Sequence, residues 1–271
     1  MQARGFLLGA TSGRTTLNGE GLQHQDGHSH LLSGAVPNCI SYDPCYAYEL
    51  AVIVQDGLRR MYVEDERIFY YITLMNENYV QPAMPEGAAS GILRGMYELM
   101  PFDSGRSRRK IRLLGSGAIL NEVTKASIRL KRDYDVDSEV WSVTSFTELA
   151  RDGHDVARWN MLHPGEESRR SYVSECLDGD IPVVAATDYV KLYAESIRAF
   201  HAAPYRVLGT DGFGRSDTRE QLRGFFEVDE RFVTLAALTE LASAQVIAER
   251  DVEDAIEEMG IAPDKPNPRR S

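Results

Sequence analysis

His24, Asp26, His28 and His30 fall within seven residues of one another, inside the run SGRTTLNGEGLQHQDGHSH at 12–30. Imidazole is the side chain whose ordinary pKa lies nearest neutral pH, so this group has the means to move protons. With a carboxylate beside it, the same group has the donor types that zinc or iron prefers. The order, however, is H-x-D-x-H-x-H, which differs from the helical H-E-x-x-H pattern and from the H-x-H-x-D-H of metallo-β-lactamase-like hydrolases. A metal-dependent hydrolase using His24, Asp26, His28 and His30 therefore has the ligands without the expected spacing. Gly13, Gly19, Gly21 and Gly27 break any regular period, and Leu17 and Leu22 are the run's apolar residues, so it reads as a long loop. Loops of more than about 12–15 residues inside a compact domain are usually functional or disordered, and a solvated surface loop is the plain alternative.

Other candidates are weaker. Asn76 and Glu77 follow the aromatic and β-branched run IFYYITL at 68–74, the place beyond a strand's carboxyl end where α/β folds put ligand residues. Gly115-Ser116-Gly117 sits between a strand and a helix and could offer N–H groups to an anion, but it lacks the lysine of a P-loop and reads better as a tight turn. The segment GTDGFGR at 209–215 has its glycines in the wrong order for a dinucleotide fingerprint and reads as a structural loop. His154 and His163 flank Trp159 and read as surface or interface histidines. Cys39, Cys45 and Cys176 form no C-x-x-C pair, which argues against a disulfide framework or a thiolate metal site.

These side chains need a frame. The sequence predicts a short strand at 6–8, an apolar segment at 36–41, and a helix start at Asp43-Pro44, where the carboxylate would cap and proline fits the first turn. Ala47, Leu50, Ala51, Val54, Leu58 and Met61 then make one helical stripe. After the polar, basic segment PFDSGRSRRK at 101–110, strands are predicted at 111–114, 140–143, 182–186 and 205–208. Helices are predicted at 119–130, 189–200, 218–226, 230–245 and 249–259. Strands alternating with helices imply mostly parallel sheets with flanking helices.

Composition narrows the class. The chain has 271 residues with 30 basic and 41 acidic, a net charge of −11, which argues against nucleic-acid or membrane-surface partners. No run approaches the roughly 18 apolar residues of a membrane span, and the cysteine usage fits a reducing, cytoplasmic compartment.

The segments GFLLGATSGRTTLNGEGLQHQDGHSH, PNCISYDPCYAYELAVIVQDGLRRMY, YYIT followed by NENY, QPAMPEG, SVTSFTELARDG, RWNMLHP and YRVLGTDGFGRSD resemble the homodimeric-type pyruvate dehydrogenase E1 family, thiamine diphosphate enzymes of the transketolase superfamily. The resemblance spans essentially the whole chain and matches the C-terminal third of those proteins. It implies an α/β fold in which residues 1–100 form the later half of a pyrimidine-binding domain. Residues 101–110 would be a linker and residues 111–271 a transketolase C-terminal-like domain.

The implied activity is decarboxylation of pyruvate on thiamine diphosphate with Mg²⁺, then reductive acetylation of the lipoyl group of the E2 dihydrolipoyl acetyltransferase, by a cytoplasmic homodimer. The family's active-site loop histidine falls on His30, with His28 next in register, and His24, Asn76 and Glu77 are substrate-side candidates. Where sugar-phosphate transketolases carry a phosphate-binding histidine and an arginine, this sequence has Asn18 and Met75-Asn76-Glu77, as suits a small unphosphorylated 2-oxo acid. The G-D-G…N-N signature for Mg²⁺ and diphosphate is absent, as is the segment bearing the glutamate that drives cofactor tautomerisation. The expectation is that this chain alone binds little or no cofactor and needs the missing N-terminal E1 portion for activity. It is also expected to associate through uncovered sheet edges. A non-catalytic dimerisation or interaction module is the alternative.

Overall fold

A computed structural model describes residues 3–10, 12–103 and 107–271. The aromatic, β-branched run forms β3 (Phe69–Leu74), which pairs in parallel with β1 (Phe6–Ala10) on one side and β2 (Cys39–Tyr42) on the other. Tyr70 and Ile72 of β3 are fully buried, against Ile53 and Met61 of α2 (Ala47–Tyr62). The buried face of α2 runs through Glu49, Ile53, Gly57 and Met61 rather than along the expected stripe, of which Ala47, Ala51 and Leu58 are exposed, because the helix packs closest where Gly57 admits the Phe6 and Tyr70 rings. The helix comes close because of Gly57, where a Cβ would lie 2.8 Å from the Phe6 ring. Strand β1 is an edge strand, with Leu7 57% and Leu8 56% exposed.

The short α1 (Ser29–Gly34) precedes β2, and α3 (Ala88–Arg94) leads into β4 (Met96–Met100). A second sheet has the order β4-β6-β5-β7-β8, from β4, β5 (Lys110–Gly115), β6 (Asp137–Val143), β7 (Val183–Ala186) and β8 (Tyr205–Leu208). It is parallel except for β4, which runs antiparallel to β6. Helices cover both faces, as burial of a parallel sheet requires. Leu113, Val184 and Ala186 pack under α4 (Ile119–Tyr134), with α8 (Arg219–Phe226), α9 (Glu230–Ser243) and α10 (Glu249–Glu258) completing that layer. The alternate residues Leu114, Val183 and Ala185 face α5 (Phe146–Leu162), α6 (Tyr172–Cys176) and α7 (Leu192–Glu195).

The structure shifts several expectations. Residues 101–110 join β4 to β5 within one sheet, so the change of unit falls before Met96 rather than at 100; residues 104–106 of that segment lie outside the described residues. What decides this is the pairing of β4 with β6, some 40 residues downstream, which no local pattern encodes. Residues 146–162, left unassigned by periodicity, form α5, capped where Ser145 Oγ accepts from Glu148 N–H at 3.0 Å. The helix expected at 189–200 shrinks to α7 and a 3-10 turn at Arg198–Phe200. Helix α2 begins at Ala47 rather than at Pro44, because Glu49 accepts from Cys45 and Tyr46 N–H at 2.6 and 2.9 Å. Asp43, freed from capping, turns into the joint between the two sheets.

Candidate functional site

The carboxyl ends of β1 and β3 face those of β5, β7 and β8, and the 12–30 run fills the space between. Ser12 to Leu17 are buried. Ser12 N–H donates to Leu74 O at 3.1 Å, Arg14 N–H to Asp188 O at 3.3 Å and Thr15 N–H to Asp188 Oδ2 at 3.1 Å. Gly13, at φ +82°, brings the backbone against the Asp188 carboxylate, where a Cβ would collide. Opposite, Asp43 Oδ1 accepts from Thr73 Oγ at 2.7 Å and Oδ2 from Ser116 Oγ at 2.9 Å. The 115–117 turn is thus a structural element: Gly117, at φ +49°, would place a Cβ 2.7 Å from Asp43 Oδ2. Burial pushes Asp43 up to about 6 and Asp188 up to about 7, against the pull of their hydrogen bonds and of Arg223.

His30 belongs to this joint. It is 1% exposed, its Nδ1 lies 2.7 Å from Ser41 Oγ and its Nε2 3.1 Å from Thr73 Oγ1. Its ring stacks on Tyr193 at 4.7 Å and meets the edge of Tyr189 at 4.6 Å. Burial holds it down to about 3, so it stays neutral at any physiological pH. Both nitrogens are engaged and no face is open. The motif register assigns a reacting role to this residue; in the structure its ring is enclosed and both nitrogens are hydrogen-bonded within the protein.

From Asn18 the same run emerges. Asn18, Gly19, Glu20, Leu22, Gln23 and His24 are exposed, while Gly21 and Gln25 are buried. Glu20 Oε2 and His24 Nδ1 are 2.7 Å apart, with side chains 49% and 55% exposed. This pair was not legible beforehand: an E-x-x-x-H spacing carries weight only if the backbone turns between the two residues, as it does where His24 N–H donates to Gly21 O at 3.3 Å. His28 is also exposed, just outside α1.

The four side chains weighed as metal ligands diverge. His24 pairs with Glu20, Asp26 accepts from the N–H groups of His28 and Ser29 at 3.0 and 3.1 Å, His28 faces outward and His30 inward. Among the described residues no three His, Cys, Asp or Glu side chains are grouped to hold a metal. The metal-hydrolase alternative therefore finds no ligand cluster among the described residues.

Asn76 and Glu77 are where expected, beyond β3, but they are tied down. Glu77 forms an ion pair with Arg223, which also meets Glu122 at 3.4 Å, and Asn76 Oδ1 lies 3.4 Å from Arg219 Nη2. Glu77 is thus a strut between the two units rather than a free carboxylate. A groove of about 1360 Å³ lies between α8 and α9, walled in part by residues 214–217, and neither Glu20 nor His24 lines it.

Residues 1–82 match the pyruvate dehydrogenase E1 component middle domain, and residues 95–229 match the transketolase-like TK C-terminal domain. The pyruvate dehydrogenase E1 component of Escherichia coli K12 is 60% identical over 270 residues, which is 99% of this chain and 30% of that protein. The one from Pseudomonas aeruginosa is 58% identical over 269 residues, 98% of this chain and again 30% of the relative. The chain thus spans 30% of the length of the curated relatives it matches. In fold it is similar to a transketolase from Pichia stipitis, with TM-score 0.65 and 15% identity over 89% of this chain and 30% of that one. It is also similar to a split-gene transketolase described as an inactive beta4 tetramer, with TM-score 0.55 and 14% identity over 88% of this chain and 67% of that one. At these identities the structural likenesses show a transketolase-like α/β fold.

Proposed function

The chain belongs to the pyruvate dehydrogenase E1 family, as the part corresponding to its C-terminal third, and from that premise we propose that it supplies the substrate-side wall of an enzyme that decarboxylates pyruvate and acetylates a lipoyl group. Thiamine diphosphate and Mg²⁺ would be held by the remaining E1 portion, in a cytoplasmic homodimer that serves an E2 acyltransferase. We assign proton handling to His24, oriented by Glu20, with His28 as the second exposed imidazole and Asn76 at the rim.

The overall conversion takes pyruvate, a lipoyl disulfide and one proton to carbon dioxide and S-acetyldihydrolipoyl, so a proton must reach the released sulfur. An imidazole whose Nδ1 is fixed by a carboxylate and whose Nε2 is open is suited to deliver it. The observation that carries this reading is the 2.7 Å Glu20–His24 pair on an exposed turn, set against a His30 with both nitrogens engaged in the interior.

The test combines this chain with the rest of an E1 and measures pyruvate-dependent acetylation of a lipoyl domain. His24→Ala should lower turnover by roughly 10²–10⁴-fold, the usual worth of positioned proton transfer, and Glu20→Gln by less. Full turnover in His24→Ala would remove the assignment. Failure to restore any acetylation would favour the interaction-module reading, to which the exposed β1 edge lends itself.

A further inference from the structure

We propose that residues 214–219 of the second unit are the positioning element for the Glu20–His24 pair, acting through Gln25 and Arg219. The catalytic consequence rests on the proton-handling reading above; the positioning itself rests on the geometry of the loop.

Gln25 makes two hydrogen bonds to the backbone of a single residue. Its Oε1 accepts from Arg215 N–H at 2.7 Å and its Nε2 donates to Arg215 O at 2.6 Å, as a neighbouring strand would. The contact depends on Gly214, where a Cβ would lie 2.6 Å from Gln25 Oε1. On the other flank, Arg219 Nε donates to Thr16 O at 2.7 Å and Arg219 N–H to Asn18 Oδ1 at 3.2 Å. Gly19 N–H donates to Asp217 O at 3.0 Å.

Glu20 to His24 therefore span the interval between two anchored stretches, 16–19 and 25, both gripped by one short segment of the other unit. Both reacting side chains are about half exposed, and an exposed ion pair gains little by itself once the entropy of ordering two side chains is counted. Fixing the backbone at both ends of a short turn removes much of that cost and sets the direction in which Nε2 points. Gln25 and Arg219 are thus positioning residues, and the second unit holds the reacting loop without contributing a reacting group.

The test uses the full chain and the variants Gln25→Ala, Gln25→Glu and Arg219→Met, with Gln23→Ala, exposed on the same turn, as the control. Amide hydrogen exchange at Gly19 and Arg215 reads the anchors, and long-range ¹⁵N–¹H correlation reads the His24 tautomer, which Glu20 fixes at Nδ1. Gln25→Ala and Arg219→Met should speed exchange about tenfold or more and average the tautomers with little movement of the global unfolding midpoint, since Gln25 loses only its bonds to Arg215, and Glu77 keeps its pair with Arg223 when the longer contacts of Arg219 to Asn76 and Glu77 are lost.

Gln25→Glu should fall between, because it still accepts from Arg215 N–H but sets a carboxylate against Arg215 O, and it should recover as that carboxyl is protonated. Exchange and tautomer signals unchanged from the parent in both Gln25→Ala and Arg219→Met would overturn the proposal. In the assembled enzyme the same two variants should lower kcat with little change in KM. If they mobilise His24 while His24→Ala keeps full turnover, the positioning stands and the proton-handling reading falls.

Discussion

The joint between the two sheets and the rim beside it are both built from residues 12–30, yet their polar groups live under opposite conditions. In the joint, Thr15, His30, Asp43 and Asp188 are at most 2% exposed; Thr15 bonds to Asp188 and Asp43 to Ser116 across the two units, while His30 bonds within the first unit and is covered by Tyr189 and Tyr193 of the second. On the rim, Glu20, His24 and His28 are exposed, and only the backbone beneath them is held. The lesson is a division of labour. Burial turns titratable residues into fixed, neutral or cross-linked fastenings, while chemistry that exchanges protons with a substrate needs an open imidazole on a fixed backbone.

Variants can break that contrast. The largest effect should come from Glu49, buried at the start of α2, which accepts from Cys45 N–H, Tyr46 N–H, Tyr97 Oη and Ser142 Oγ at 2.6 to 2.9 Å. The last two lie on the second sheet, so Glu49→Ala should strand four donors at the joint and cost about 3 kcal/mol or more in urea unfolding. A loss below about 1 kcal/mol would mean that the units are not fastened there.

The next effect concerns pH. Asp43 is raised from 3.8 to about 6 and Asp188 to about 7, so their contribution to stability is complete below 3.8 and is lost as pH climbs through that window. His30, lowered from 6.5 to about 3, works the other way: its contribution is intact above 6.5 and fades as pH falls toward 3. Asp43→Asn keeps the shape and removes the charge. In urea titrations from about pH 4 to pH 8 it should flatten the alkaline limb, where each titrating unit is worth about 1.4 kcal/mol. A variant with the parent's slope would show that Asp43 is not the group that titrates.

The smallest effect should be on the rim, where His24→Ala and His28→Ala ought to stay within about 0.5 kcal/mol of the parent's stability, as exposed substitutions usually do. A loss above about 1 kcal/mol from either would place that imidazole among the fastenings after all.

Much of the frame was legible because it rests on local periodicity. The helix after Asp43, the aromatic run of β3, the turn at 115–117 and the alternation of strands and helices after 110 all came from spacing and residue type, as did the long polar run as the place to look, although the face α2 buries is not the stripe its apolar spacing picks out. The rest depended on contacts between distant residues. Residues 96–100 fell at the end of the expected first unit because their partner strand, β6, lies some 40 residues further along the chain. Asp43 read as a cap because Ser116, its partner in the joint, lies far along the chain.

The two histidines illustrate the division best. The sequence determined that residues 12–30 carry imidazoles on a glycine-broken loop between two apolar segments, since glycine content, polarity and period are properties of the run itself. Only the tertiary structure decided that His30 is enclosed by Tyr189 and Tyr193 while His24 stands open beside Glu20. Burial is set by what packs against a residue, and here that comes from the other unit, more than 150 residues away.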